Sequence, residues 1–175
     1  MRVFKFGGAS VKDADGVRNV YDVLQKVGYH DVLIVVSAMG KTTNALEVVI
    51  KDYFDKSKTL QASVQEVKKY HNQIILDLFD DEKHSVFQSV DKIFVELDYF
   101  LSHNKSPNYS FVYDQIVSFG ELLSSTILSH YFASQNIPNN WVDVRNFIKT
   151  DSNYRDAGVN WEITQKNISK GIKKN

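Results

Sequence analysis

Apolar residues follow two different spacings in the first part of the chain, and each spacing predicts a different element. Residues 2–6 and 31–36 are short apolar runs bounded by glycine or polar residues, a pattern typical of β-strands. Between them, residues 13–27 repeat apolar side chains at intervals of three and four, which predicts a helix. The second run is apolar without interruption, as in strands that a parallel sheet buries on both faces. Together these elements predict a βαβ unit.

Helical spacing continues through the middle of the chain. Four further segments carry apolar residues on one helical stripe: residues 42–55, 64–79, 86–101 and 111–135. A polar break at residues 80–83 suits a tight connection between two helices. We therefore predict a helical hairpin over about residues 60–104, inserted so that it covers or extends the sheet.

Another strand is expected after the longest helix. Pro138 disfavours helical geometry in the residue before it, so the helix ends there. Residues 140–144 then indicate a strand, residues 150–160 a polar loop and residues 161–170 a final helix. The predicted fold class is α/β, with a mainly parallel sheet and flanking helices. Ligands of such sheets gather at the carboxyl ends of the strands, which here are three segments: residues 7–10, 37–43 and 145–151.

Composition excludes several classes of function. The 21 basic and 21 acidic side chains balance, which argues against a broadly basic nucleic-acid-binding protein. The absence of cysteine excludes disulfide scaffolds, thiol chemistry and cysteine-rich zinc sites, and it fits a cytoplasmic protein. The histidines have no metal-binding spacing, and His71 and His130 are expected at the core or its boundary. No apolar run approaches the ~20 residues that span a membrane.

The first strand ends in the sequence KFGGAS, residues 5–10. Lys5 is a compact cation suited to phosphate oxygens. Gly7 and Gly8 let backbone N–H groups approach an anion at the mouth of the sheet. The alternative is an ordinary tight turn with a lysine at its edge.

The second strand leads into SAMGKTTN, residues 37–44, which contains the GKT of a P-loop. A Walker A motif also needs a glycine where this chain has Val35, inside the strand, so that motif is rejected. Small and hydroxyl residues at a strand end still form a good polar pocket floor. Thr42 or Thr43 can also simply cap the next helix, with Glu47 completing a capping box.

Two later segments also carry polar chemistry. SFGE, residues 118–121, lies inside a predicted helix, where a glycine costs about 1 kcal/mol relative to alanine. Gly120 therefore indicates close backbone approach, and Glu121 can hold a ligand ammonium; the alternative is a surface glutamate beside a packing glycine. Residues 141–151, WVDVRNFIKTD, suit contacts with an anion or an amino acid, but surface loops have similar compositions.

Taken in this order, KFGGAS, VVSAMGKTTNAL, SFGELLS and WVDVRNFIKTD resemble aspartate kinase, a family of the amino acid kinase superfamily. The resemblance covers nearly the whole chain and is weakest over residues 60–105. It implies an incomplete amino acid kinase (carbamate kinase-like) fold, with residues 1–175 as the N-terminal part of the catalytic domain. The nucleotide-binding half and the regulatory ACT domains of the family would be absent from this segment.

The resemblance implies transfer of a phosphoryl group from ATP to the side-chain carboxylate of L-aspartate. The product is 4-phospho-L-aspartate, on the route to lysine, threonine and methionine, and Mg²⁺ would be bound through the nucleotide. The partners implied are these two small molecules, with neither nucleic acid nor membrane, and a homodimer or larger assembly of the full-length protein. An aspartate carboxylate, with a reference pKa of ~3.9, is ionised at pH 7, so the reaction needs charge compensation and alignment rather than a general base.

The family pattern assigns roles residue by residue. Lys5 is implied as the catalytic residue that stabilises phosphate. The other implied ATP phosphate contacts are Gly7, Gly8 and Ser37, and the implied aspartate contacts are Ala38, Thr43 and Glu121. No residue is implied as a metal ligand. Ala9 departs from the family, which commonly has threonine there.

The arginine that holds the α-carboxylate of aspartate in this family would lie outside the segment. We therefore expect the 175-residue chain alone to be an inactive fragment. The alternatives are a non-catalytic substrate-binding or interaction module of the same fold, and a kinase of another small acidic metabolite.

Overall fold

The computed structural model describes residues 1–171. Strands β1 (Arg2–Phe6) and β2 (Val32–Val36) form a parallel two-stranded sheet, with Phe4 opposite Ile34 and Phe6 opposite Val36. The intervening helix α1 begins after Asp13, whose carboxylate accepts a hydrogen bond from the Gly16 N–H at 2.8 Å. The predicted βαβ unit is confirmed.

Helices make up most of the described residues. Their bounds are α1 (Ala14–Val27), α2 (Thr42–Phe54), α3 (Leu60–Leu78), α4 (Ser85–His103), α5 (Tyr109–Ser134) and α6 (Trp161–Gly171). Short 3₁₀ turns lie at Gly8–Val11 and Val144–Asn146. All six predicted helices are confirmed, with starts and ends shifted by a few residues. None of the helices within residues 1–171 is both long and apolar enough to cross a bilayer.

The predicted strand at residues 140–144 is wrong. This segment has no strand partner in the part of the chain that the structure describes, and Val144 begins a 3₁₀ turn instead. The Asp143 carboxylate accepts a hydrogen bond from the backbone N–H of Arg145 at 3.0 Å. This local bond favours a turn over a strand ladder, which overrides the apolar pattern of Trp141 and Val142.

The sheet buries one face rather than both. Phe4, Ile34 and Val36 pack against the hydrophobic core. On the other face, 60% of Val3, 42% of Leu33 and 46% of Val35 remain exposed. The uninterrupted apolar sequence of β2 therefore predicted too much burial for the described part of the chain.

The core lies mainly between helices. Helix α2 packs against α3 and α5, α4 packs against α5, and α3 also contacts α1. Residues 60–104 contain α3 and α4, whose most extensive contacts are with α2 and α5 rather than with the sheet. The two helices thus form part of the central packing. Helix α5 contributes the largest share of buried side chains, among them Ile116, Leu123 and Ile127.

The start of β1 is bonded to the end of α1. The Arg2 guanidinium donates to the carbonyl groups of Val27 at 2.6 Å and Gly28 at 2.7 Å, where the helix ends. The Met1 ammonium lies 2.6 Å from an Asp31 carboxylate oxygen. These contacts hold the amino edge of the sheet, while the opposite, carboxyl edge carries the two glycine-containing loops.

Candidate active site

The loop that follows β1 (the first loop, residues 7–10) lies directly against the loop that follows β2 (the second loop, residues 37–41). The Ser37 N–H donates to the Phe6 carbonyl at 3.0 Å, and the Gly40 N–H donates to the Gly8 carbonyl at 3.0 Å. A Cβ atom on Gly8 would lie only 2.5 Å from the carbonyl oxygen of Ala38. Because that neighbour is backbone, the close approach requires glycine at position 8. The two loops therefore form one continuous floor at the carboxyl edge of the sheet.

Lys5 lies on the exposed face of β1, at the edge of this floor. Its ammonium nitrogen is 3.6 Å from the position that a Cβ atom of Gly7 would occupy. Within residues 1–171 it forms no ion pair. The positive charge is therefore available to an anion above the first loop.

Helix α5 brings Glu121 to the same floor. The Glu121 Oε1 atom accepts a hydrogen bond from the Ala38 N–H at 3.2 Å. The approach depends on Gly120, since a Cβ atom there would lie 2.7 Å from the Ala38 Cβ and 3.4 Å from the Thr42 Cγ2. Gly120 is thus a packing glycine, and it sets the exposed Glu121 against the second loop.

The proposed capping box at the start of α2 is wrong. The Thr42 side chain is buried, and its hydroxyl donates to the Met39 carbonyl at 2.6 Å instead of accepting from the helix. Glu47 accepts from the Tyr113 hydroxyl at 2.8 Å, so its carboxylate does not turn back towards the helix start. Thr43 is half-buried in the first turn of α2, next to the loop.

Two adjacent residues of α3 reach this region, and the sequence analysis did not place either there. The Tyr70 hydroxyl donates to the carbonyl of Lys12, which follows the first loop. His71 is fully buried, with Nδ1 2.8 Å from the Val67 carbonyl oxygen and Nε2 3.4 Å from the Thr42 hydroxyl. The burial of His71 confirms its predicted core position. Its apolar stripe indicated burial, but no sequence signal indicated contact with the loops.

Burial lowers the pKa of His71 to about 4, even though the hydrogen bond to Val67 opposes the shift. The imidazole is therefore neutral near pH 7. Since a carbonyl only accepts, Nδ1 carries the proton, and the lone pair of Nε2 faces the Thr42 hydroxyl.

His130 lies at the boundary of the core, as expected. It is half-buried on α5, with Nε2 3.1 Å from the Ser89 hydroxyl. Burial, followed by the proximity of His84, lowers the pKa of His130.

The third segment expected at a strand end, residues 145–151, does not follow a strand in the described part of the chain. Partial burial would raise the pKa of Asp143, but hydrogen bonds from Arg145, with N–O distances down to 2.7 Å, hold it below its usual value. The Lys149 N–H donates to the Thr164 hydroxyl of α6 at 3.0 Å. These contacts link the segment to Asp143 and to α6, and within residues 1–171 it does not continue from a strand. Its predicted position at the carboxyl end of a strand is therefore wrong.

The resulting site has two chemically different halves, which meet at Ala38: its N–H bonds Glu121 and its carbonyl lies against Gly8. One half carries an ammonium group and exposed loop backbone, which suit a compact anion. The other carries the Glu121 carboxylate, whose two oxygens can accept from the Ala38 N–H and from a ligand ammonium. Within residues 1–171, no three His, Asp or Glu side chains lie close enough to hold a metal ion.

Comparison with known sequences gives a family match over the full length. The profile of the "Amino acid kinase family" matches residues 1–175. The bifunctional aspartokinase/homoserine dehydrogenase 2 of Escherichia coli is 27% identical over 169 residues, which cover 94% of this chain and 20% of the relative. The aspartokinase of Chlamydia trachomatis is 27% identical over 155 residues, covering 89% of this chain and 33% of the relative.

Solved structures show the same fold. E. coli aspartokinase III in complex with lysine and aspartate matches with a TM-score of 0.82 and 18% identity, covering 98% of this chain and 38% of that protein. The same enzyme in complex with aspartate and ADP matches with a TM-score of 0.79 and 19% identity, over 98% of this chain and 37% of that protein. The segment thus spans well under half of these proteins, and the predicted α/β fold class is confirmed. The chain belongs to the amino acid kinase family.

Proposed function

We propose that residues 1–175 are the substrate-binding part of an aspartate kinase catalytic domain, which phosphorylates the side-chain carboxylate of L-aspartate with ATP. The observation that carries this proposal is the hydrogen bond between Glu121 and the Ala38 N–H. That bond holds the Glu121 carboxylate, to which the proposal assigns a ligand ammonium, beside loops suited to phosphate. The aspartokinase relatives, one of them solved with aspartate and ADP, support the same assignment.

In this proposal the phosphate half receives Mg-ATP as a substrate. Lys5 is the catalytic residue, because its ammonium neutralises charge that develops on the transferred phosphoryl group. Gly7 and Gly8 admit the phosphates close to the backbone, and Ser37 lies at the end of β2 beside them. The Mg²⁺ ion enters with the nucleotide, which suits a site built from an amine and backbone groups.

The acceptor half orients L-aspartate. Glu121 pairs with the α-ammonium, while Ala38, which donates to Glu121, and Thr43, in the first turn of α2, complete the acceptor half. The acceptor carboxylate is already ionised near pH 7, so no side chain has to remove a proton. The contribution of the protein is to align two anions and compensate their repulsion.

The reaction is tested by measuring ADP release from Mg-ATP by the protein that carries this segment, with L-aspartate as acceptor. Release that depends on L-aspartate supports the proposal. Release with L-glutamate or another small diacid, and none with L-aspartate, would contradict the substrate assignment.

The aspartate half is tested by Glu121→Gln. The amide keeps an oxygen that can accept from the Ala38 N–H but loses the charge that pairs with an ammonium. We expect the KM for L-aspartate to rise about tenfold, as for the loss of one charge-assisted hydrogen bond, while the KM for ATP stays within about twofold. Steady-state kinetics of ADP release measure both constants.

The matched control for this test is Glu47→Gln, which neutralises another exposed glutamate on a neighbouring helix. It should leave both KM values close to those of the unmodified protein. Equal effects of Glu121→Gln on aspartate and ATP would remove Glu121 from its assigned role.

The wider setting follows from the resemblance alone. We place the protein in the cytoplasm, as a homodimer or larger assembly, at the start of the synthesis of lysine, threonine and methionine. Light scattering on the purified protein measures the assembly state, and a monomer at micromolar concentration would contradict it.

A further inference from the structure

Tyr70 and His71 point from one turn of α3 towards different loops of the site. Their rings have centroids 5.1 Å apart and planes at 80°, so the two side chains diverge. The Tyr70 hydroxyl donates to the Lys12 carbonyl, on the segment that leaves the first loop. The same oxygen lies 2.5 Å from the position of a Cβ atom on Gly40, in the second loop. Tyr70 therefore contacts both loops at once.

His71 reaches the second loop through one hydroxyl group. Thr42 has a single proton to donate, and its 2.6 Å distance to the Met39 carbonyl assigns the proton there. The Nε2 atom of His71 lies 3.4 Å from the same oxygen, on the buried side of the loop. Thr42 thus stabilises the second loop through its hydrogen bond to Met39. Thr42 in turn packs against α3 through the His71 ring.

Gly40 is the point at which these contacts converge. Its backbone has φ of +53°, and its N–H forms the hydrogen bond to Gly8 that joins the two loops. A side chain at position 40 would meet both the Tyr70 hydroxyl and the Lys12 Cβ. The second loop can therefore approach the α3 side chains this closely only with glycine at position 40.

We infer that Tyr70 and His71 are positioning residues that set the spacing between the two loops, and through it the placement of Lys5 relative to Glu121. Neither residue is among those to which a substrate contact is assigned. The spacing role stands on the contacts themselves, and only its kinetic consequence rests on the proposed aspartate kinase function.

Tyr70 contributes more than packing to this arrangement. It is 36% exposed, so burial of its ring supplies less stabilisation than a core aromatic would. Burial and the nearby Asp13 carboxylate raise the pKa of Tyr70, so its hydroxyl keeps its proton and remains a donor at neutral pH. The hydrogen bond to Lys12 can therefore be removed without removing the ring.

The test is the variant Tyr70→Phe, examined first by hydrogen exchange of the Gly40 amide. Loss of one hydrogen bond at the loop junction should increase that exchange rate about fivefold, equivalent to a net hydrogen bond of about 1 kcal/mol. Tyr99→Phe is the control, because Tyr99 is exposed on α4 and stacks on His103 away from the loops. Unchanged exchange at Gly40 in Tyr70→Phe would overturn the inference.

Thr42→Val provides a second variant, which removes the donor to Met39 while keeping the side-chain shape. It should also increase exchange at Gly40, and a rate equal to that of the unmodified protein would contradict the role assigned to Thr42 in holding the second loop. If either variant fails to fold, the other still tests the inference.

Kinetics separate the positioning role from a general loss of stability. In the protein that carries this segment, Tyr70→Phe should lower kcat for aspartate-dependent ADP release about fivefold, with a thermal midpoint close to that of Tyr99→Phe. Lower kcat without faster Gly40 exchange would refute positioning. Faster exchange in a protein that shows no aspartate-dependent ADP release would support positioning and reject the aspartate kinase proposal.

Discussion

Replacing Gly120 with alanine is expected to lower the free energy of unfolding by about 2 kcal/mol. The new methyl group would lie 2.7 Å from the Ala38 Cβ, so either α5 or the second loop must move. Overpacking of this kind costs up to about 3 kcal/mol, and the better helix propensity of alanine returns about 1 kcal/mol. Urea denaturation followed by circular dichroism measures the difference.

The chain offers a compensating variant for this prediction. Ala38→Gly removes the methyl group that the alanine at position 120 would meet, so the double variant should be more stable than Gly120→Ala alone. Under the proposed function, the single change also weakens L-aspartate binding, because it displaces Glu121 from the Ala38 N–H. A Gly120→Ala protein as stable as the original would show that α5 and the loop are not in close contact.

Acidification from pH 7 to pH 4 is expected to cost about 3 kcal/mol of folding free energy through His71 alone. Its pKa is about 4 in the folded protein, against 6.5 for an ordinary histidine. The unfolded chain therefore binds this proton more readily, and stability present above about pH 6.5 is lost as the pH falls towards 4. At ~1.36 kcal/mol per pKa unit, the difference of about 2.5 units sets the size of the effect.

The variant His71→Gln isolates this contribution. Glutamine does not titrate, so the variant should be less stable at pH 7 but should lose less further stability between pH 6.5 and pH 4. His130→Gln is the matched control, because His130 is only half-buried and its lowered pKa contributes less in the same direction. If the free energy of unfolding falls in parallel with pH for the original protein and His71→Gln, His71 is not the source of the acid sensitivity.

Local periodicity predicted α1 to α4 well because each of these helices buries one stripe of its own side chains. The stripe that includes Val67 and His71 is one example, and both residues are buried in α3. The strand predicted at residues 140–144 does not form because local hydrogen bonds from Arg145 to the Asp143 carboxylate favour a turn. The predicted burial of Leu33 and Val35 was wrong for a different reason. Whether a strand residue is buried depends on what packs over the strand, and local sequence does not show this.

In the candidate site, too, local sequence predicted some features, while others depend on contacts between distant residues. Gly8 after a strand and Gly120 inside a helix indicated close backbone approach, and a Cβ atom at these positions would lie 2.5 Å and 2.7 Å from atoms of Ala38. The roles assigned to Lys5 and Glu121 stay predictions, and the kinetics of Glu121→Gln test the second of them. Tyr70 was missed because its contact with Lys12 joins residues 58 apart in the chain, and no local spacing encodes such a pair.

The bonds at the start of β1 have a practical consequence for handling the protein. Arg2 and Met1 are held at the amino edge of the sheet, whereas the glycine loops lie at the carboxyl edge. Met1 and Lys5 are four residue steps apart along the extended chain, or roughly 13 Å. A fluorophore or biotin attached to the first residue would thus lie at the end of the strand opposite the candidate site. Immobilisation through it would leave the site open to small molecules in solution.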